Sequence, residues 1–294
     1  MPQSVCINVG LARLSFVNII VVTNKVILKM NPIDEDVGGS GSEDATASQM
    51  TTVLEFGETH VVRPKGKHQA TIVWLHGMGD KGLSWSQLFD TLPLPNIKWI
   101  FPTAPTRPVA LLGGFFCTAW FDAEDISENA PVNMESLDAS ATHIANLLSS
   151  EPSDVKLGIG GFNMGAATAL YSVICQVIGR YSNGNAYPIN LSIAVGLSGW
   201  LPCSSLLRTW MEESDESEQR AASVPILLCH GSADEVVAFE HGEKAVEALT
   251  SLGFQNITFK SYEGLGHYTI PEETEQVCKW LTSVLDLEGT PSDS

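Results

Sequence analysis

The sequence predicts an α/β fold: an open, mostly parallel central sheet with helices on both faces. Three observations carry this. From residue 59 onward β-type runs alternate with helical ones. Several of the β runs are short and continuously apolar, as expected of parallel strands covered on both sides. Glycine-rich turns follow three of them, at the strand ends where an open α/β sheet binds its ligands.

Taken in order, the first 33 residues contain Arg13, Lys25 and Lys29 and no acidic residue. Between Arg13 and Lys25 lies an apolar run of 11 residues, 14–24, broken by Asn18, Thr23 and Asn24. It is about half of the ~20 residues that a membrane-spanning helix needs, so no stable membrane span is expected. A transit peptide would want more Ser and Arg and a helical amphipathic pattern, and this run is β-branched, which leaves an unstructured extension as the expectation and organelle targeting as the alternative. Residues 34–49 are acidic, rich in Gly and Ser and poor in large apolar side chains, the composition of a disordered linker. Residues 1–49 are thus expected to be extension and linker, 50–287 the globular domain and 288–294 a tail.

Within the domain, strands are expected at 59–63, 70–76, 97–101, 156–162, 191–197, 225–229 and 258–262. Helices are expected at 84–92, 134–149, 164–178, 239–252 and 271–285. In the second of these Leu137, Ile144 and Leu148 share one face. The third is a small, apolar run, as expected of a helix buried against the sheet.

The net charge of −18 disfavours a nucleic-acid surface. The six cysteines (Cys6, Cys117, Cys175, Cys203, Cys229 and Cys278) are scattered, with no Cys-x-x-Cys pair or His/Cys grouping. That spacing fits reduced thiols of an intracellular protein and offers no metal site.

The stretch from Gly160 to Gly165 turns the chain sharply between a strand and a helix. Gly161-Phe162-Asn163-Met164-Gly165 has the frame of a nucleophile elbow, Gly-x-Ser-x-Gly, with asparagine at its centre. Three further groups lie where an acyl-transfer site wants them. Trp74 to Asp80, with Gly77 and Gly79, forms a glycine-rich strand exit whose backbone N–H groups suit an oxyanion hole. Met78 is the candidate donor there, and the second donor is the N–H of the residue after the elbow, Met164. Asp234 follows the strand at 225–229 and is the candidate orienting acid, with Glu235 as its rival. His267, in Gly264-Leu265-Gly266-His267, follows the last strand and is the candidate general base. Elbow, acid, histidine is the chain order of α/β-hydrolases.

With these motifs the chain resembles the acyl-protein thioesterases and related small carboxylesterases, in their plant-type form. The likeness runs from about Val61 to Leu285. It includes Val61-Val62-Arg63-Pro64, Leu75 to Asp80, Phe101-Pro102-Thr103-Ala104-Pro105, Ala119-Trp120-Phe121-Asp122, Gly160 to Ala167, Leu197 to Pro202 and His230 to Val237. The resemblance implies a cytosolic serine hydrolase of ester or thioester bonds. Acylated proteins or lysophospholipid-like esters would be its substrates, and it needs no cofactor. It also implies that the connection from Phe101 to Asp122 is an acyl-binding loop, with Leu111, Leu112, Phe115, Phe116 and Trp120 as substrate-binding residues. Exposed apolar residues there suit a lipid chain, and burial of the loop is the alternative.

The departure from the family is Asn163 itself, which offers no hydroxyl or thiol. Loss of such a nucleophile typically costs ~10⁶-fold in kcat. Neither Ser198, Ser232 nor Cys229 is placed to replace it. Asparagine tolerates positive φ better than most residues, so the turn is expected to survive the change. Two readings follow: a hydrolase whose activity is low or absent because of Asn163, or a non-catalytic acyl-binding or regulatory protein. A variant of an ordinary enzyme at one position is the third.

Overall fold

The computed structural model describes residues 18–22, 25–29, 55–127, 130–213 and 216–287. The chain divides into two units, 1–52 and 53–294. In the first, β1 (Asn18–Val22) pairs antiparallel with β2 (Lys25–Lys29), Asn18 opposite Lys29 and Val22 opposite Lys25. An unstructured extension is the sequence expectation here. The β-branched residues Ile19 to Val22 and Val26-Ile27 instead favour strand pairing. The expected linker at 34–49 and tail at 288–294 lie outside the described residues.

The second unit begins with β3 (His60–Val62), β4 (Ala70–Leu75), α1 (Gly82–Phe89) and β5 (Ile97–Phe101). A small hairpin follows, β6 (Thr106–Val109) and β7 (Phe115–Thr118), its strands joined through a single 3₁₀ turn at Ala110–Leu112. Then come α2 (Met134–Leu148), β8 (Lys156–Phe162), α3 (Met164–Ile178) and β9 (Ile193–Leu197). The chain continues with α4 (Ser204–Glu212), α5 (Ser217–Ser223), β10 (Ile226–Gly231), α6 (Phe239–Ser251), β11 (Ile257–Tyr262) and α7 (Pro271–Val284).

Seven strands form one sheet in the order β11-β10-β9-β8-β4-β5-β3, parallel throughout except for β3, which runs antiparallel to β5 at one edge. This is the predicted mostly parallel α/β sheet. Alternation along β4 feeds two cores. Ile72 and Trp74 pack with Trp85 and Phe89 of α1 and with Val277 and Leu281 of α7. Val73 and Leu75 face the other way, among Leu137 and Ile144 of α2, Leu170 of α3 and Leu249 of α6. The aromatic side of the first core is dense: Phe89 lies 4.7 Å from both Trp74 and Trp99, edge-on to the latter. As the small-residue pattern predicts, α3 is buried nearly all round.

The β6/β7 hairpin, α4 and α5 have no counterpart in the sequence reading. Pro108 in β6 argues against a strand, and this hairpin tolerates it because it stands outside the main sheet. Helix α4 buries only Leu207 and Met211, too sparse an apolar pattern to be read from sequence. No helix among the described residues is long and apolar enough to cross a membrane. The five described cysteines are unpaired, and no group of three or more His, Cys, Asp or Glu side chains among the described residues is disposed to hold a metal ion.

Candidate active site

Four loops meet at the carboxyl edge of the sheet, after β4, β8, β10 and β11. Asn163 is the single residue between β8 and α3, with φ 55° and ψ −122°. Two glycines make this turn possible by close approach. A Cβ on Gly161 would lie 2.5 Å from the Gly165 carbonyl carbon, and one on Gly165 would lie 2.3 Å from the Leu75 oxygen. Strand, turn and helix can therefore meet only with hydrogen at both positions.

The Asn163 amide is engaged through both its oxygen and its nitrogen. Its Oδ1 accepts from the backbone N–H of Met164 at 2.6 Å and of Met78 at 3.3 Å. Its Nδ2 donates to His267 Nε2 at 3.0 Å. Because an amide nitrogen only donates, His267 carries its proton on Nδ1, where it donates to Asp234 Oδ2 at 2.7 Å. The other carboxylate oxygen, Oδ1, accepts from the N–H groups of Val236 and Val237, each at 2.9 Å. Burial by itself pushes the Asp234 carboxyl up. The hydrogen bond and charge of His267, with the two backbone donors, outweigh it and hold the group below the usual carboxylate range.

Glu235, the rival acid, is exposed, while the Asp234 carboxylate has no accessible surface. The expected elbow, acid and histidine are thus in one hydrogen-bonded chain, and both expected oxyanion donors, Met78 and Met164, converge on one point. That point is filled by the Asn163 side-chain oxygen.

Supporting residues that the sequence did not single out hold these loops. The buried His76 accepts from the Ala104 N–H on Nε2 at 3.0 Å and so donates from Nδ1 to the Gly77 carbonyl at 2.6 Å. Burial lowers its pKa, which keeps the ring neutral. The loop is also tied to the hairpin. Gly79 N–H donates to the Thr118 carbonyl at 2.8 Å and Thr118 Oγ1 to the Asp80 carbonyl at 2.7 Å. On the acid's loop, His230 donates from Nε2 to the Val237 carbonyl at 2.8 Å, and burial lowers its pKa as well. A histidine at the carboxyl end of a buried apolar run, followed by glycine, is the available signal for both.

The substrate-binding expectations divide. Phe115 and Phe116 stand out from the hairpin at 61% and 64% exposure, and Leu111 and Leu112 are half-buried beside them. Trp120 departs from the expectation. It is fully buried, and its indole N–H donates to the His76 carbonyl at 2.8 Å. A large aromatic with a polar N–H is held in the core where that N–H finds an acceptor, so Trp120 props the loop and offers no surface to a ligand.

None of the three side chains considered as substitutes is activated. Burial pushes the Cys229 thiol up to about 12, Ser232 Oγ accepts from the Gly264 N–H, and the buried Ser198 Oγ has no hydrogen-bond partner to activate it.

An elbow at the carboxyl edge of a parallel sheet, an Asp-His pair beyond it and two convergent N–H donors define an α/β-hydrolase. Residues 57–285 match the model of the phospholipase/carboxylesterase family, and the chain belongs to that family. By homology it is of the acyl-protein thioesterase and carboxylesterase type. It is 31% identical over 226 residues to acyl-protein thioesterase 1 homolog 1 of Dictyostelium discoideum, covering 74% of this chain and 92% of that protein. The crystal structure of Zea mays acyl-protein thioesterase 2 is 66% identical, covers 78% of this chain and 99% of its own, and superposes with a TM-score of 0.76. For Arabidopsis thaliana SOBER1 the values are 28%, 74% and 99%, with a TM-score of 0.60.

Proposed function

We propose that this chain carries the binding surface and Asp-His pair of an acyl ester or thioester hydrolase, and that Asn163 halts it before acyl transfer. Acylated proteins, to which the names of the relatives refer, and lysophospholipid-like esters are the substrate classes. The hydrolase scaffold is supported by the Asp234-His267 pair, the Met78 and Met164 donors and the exposed apolar hairpin.

The observation that carries the arrest is the Asn163 amide. Its nitrogen faces His267 where a nucleophilic hydroxyl would lose its proton, and a carboxamide nitrogen supplies no lone pair for attack. Its oxygen also occupies both N–H donors, each worth ~2.7 to 4 kcal/mol to a developing oxyanion. An incoming ester carbonyl must displace that oxygen before it can be polarised. The residual rate that oxyanion stabilisation leaves in a triad lacking its nucleophile is therefore suppressed too.

The test is hydrolysis of a short chromogenic ester. We expect turnover near the uncatalysed rate for the chain as it stands and a gain of ~10⁶-fold or more for Asn163→Ser. No gain on that substitution favours the second reading, a non-catalytic acyl-binding protein, for which the retained apolar hairpin is the supporting observation. Robust turnover without the substitution would place the nucleophile elsewhere.

A further inference from the structure

The Asn163 side chain is itself a carboxamide, held the way an acyl hydrolase holds its substrate. Its carbonyl oxygen lies between the Met164 and Met78 N–H groups at 2.6 and 3.3 Å. Its nitrogen, the leaving group of an amide, lies 3.0 Å from His267 Nε2. Asp234 holds the ring in the tautomer that leaves Nε2 free to take a proton. The His267 side chain keeps 15% of its surface exposed, so the ring borders solvent.

We propose that the site hydrolyses its own Asn163 side chain, converting the carboxamide to a carboxylate. A water molecule displaces the Nδ2 contact, gives a proton to His267 Nε2 and attacks Cγ. The carbonyl electron pair moves onto Oδ1, in the N–H pair. The C–N bond then breaks as His267 returns the proton to the departing nitrogen. One water is consumed, ammonia leaves and is protonated to ammonium, and no electrons are exchanged. The product is favoured in place. A carboxylate at position 163 caps the N-terminus of α3, where the helix dipole favours negative charge, and keeps both N–H donors in charge-assisted bonds. An aspartate at that position still provides no hydroxyl, so ester turnover stays halted.

A competing route, cyclisation of the Asn163 side chain onto the Met164 backbone nitrogen, needs neither His267 nor Asp234. The Met164 N–H donates to Oδ1 and opens α3, so that hydrogen bond and the first helical turn must give way before the nitrogen can attack Cγ.

The full chain is incubated at neutral pH in ¹⁸O-labelled water, and the peptide carrying Asn163 is followed by mass spectrometry. We expect amide-to-acid conversion at position 163 with one ¹⁸O and normal aspartate linkage, slowed by ~100-fold or more in His267→Ala and in His267→Gln. Conversion at position 163 is expected to fall to the rate of an ordinary asparagine when the chain is unfolded in urea. The exposed Asn183, followed by Gly184, serves as the reference in the same digest. Absence of conversion at position 163 while Asn183 converts would overturn the proposal. So would an unchanged rate in both His267 variants, or an isoaspartate product, which marks cyclisation.

Discussion

The loops around Asn163 and the β6/β7 hairpin touch each other, yet they are built on opposite terms. Around Asn163 the loops are closed. The residues that turn the chain are buried, His76, Asp234 and the Asn163 amide have their hydrogen bonds, and glycines sit where backbones approach within van der Waals distance. At the hairpin tip two phenylalanines stand in solvent, next to Gly113 and Gly114, both at positive φ. The first region fixes its side chains through hydrogen bonds and close backbone packing. The second leaves apolar surface exposed. Under the proposed function, chemistry and substrate recognition are separable here: a change of one side chain at the closed site would remove turnover and leave the exposed apolar hairpin unaltered.

Breaking the contact between the two regions has the largest expected effect on stability. Trp120→Ala removes a fully buried indole and orphans the His76 carbonyl, at a cost of ~3 to 5 kcal/mol measured by denaturant unfolding. The buried carboxyl of Glu273, on α7 behind the His267 loop, comes next. Both of its oxygens lack hydrogen-bond partners, and burial raises its pKa to about 7.

A carboxyl whose folded pKa is raised destabilises the fold once it must ionise. The penalty is absent below the ordinary carboxylate pKa of 4.5 and grows up to about 7. Glu273→Gln is therefore expected to stabilise the protein by roughly 3 kcal/mol above pH ~8 and to have little effect below pH ~4.5. Lowered pKa values at the buried His76 and His230 act with the other sign: stability present above about 6.5 is lost as pH falls below it. Thermal unfolding of both proteins across pH separates the two contributions. The smallest expected effect is at the hairpin tip. Removing both rings by Phe115→Ala and Phe116→Ala is expected to change stability by no more than ~0.5 kcal/mol. In the Asn163→Ser background it is expected to raise KM for long-chain esters roughly tenfold, with short esters unaffected.

Much of this was legible in the sequence because the constraints are local. The glycines flanking Asn163 announce a turn that no other residue pair permits, and the order of Asn163, Asp234 and His267 along the chain matches their order along the sheet edge. Trp120 misled because an aromatic in an apolar loop reads the same whether it faces a ligand or a backbone carbonyl. Only the His76 contact decides between them. The hairpin was hidden by Pro108, and α4 by an apolar face reduced to two residues. The occupancy of the Met78 and Met164 donors by Oδ1 follows from a side-chain rotamer, which no spacing encodes.

The central claim is that Asn163 alone separates this site from a working one. A fluorophosphonate probe reports it directly, because the probe bonds covalently only to a nucleophile activated beside an oxyanion hole. We expect no labelling of the chain as it stands and stoichiometric labelling of Asn163→Ser, mapped to position 163. Labelling of the unsubstituted chain at any site abolished by His267→Ala, or no labelling of a folded Asn163→Ser protein, would contradict it.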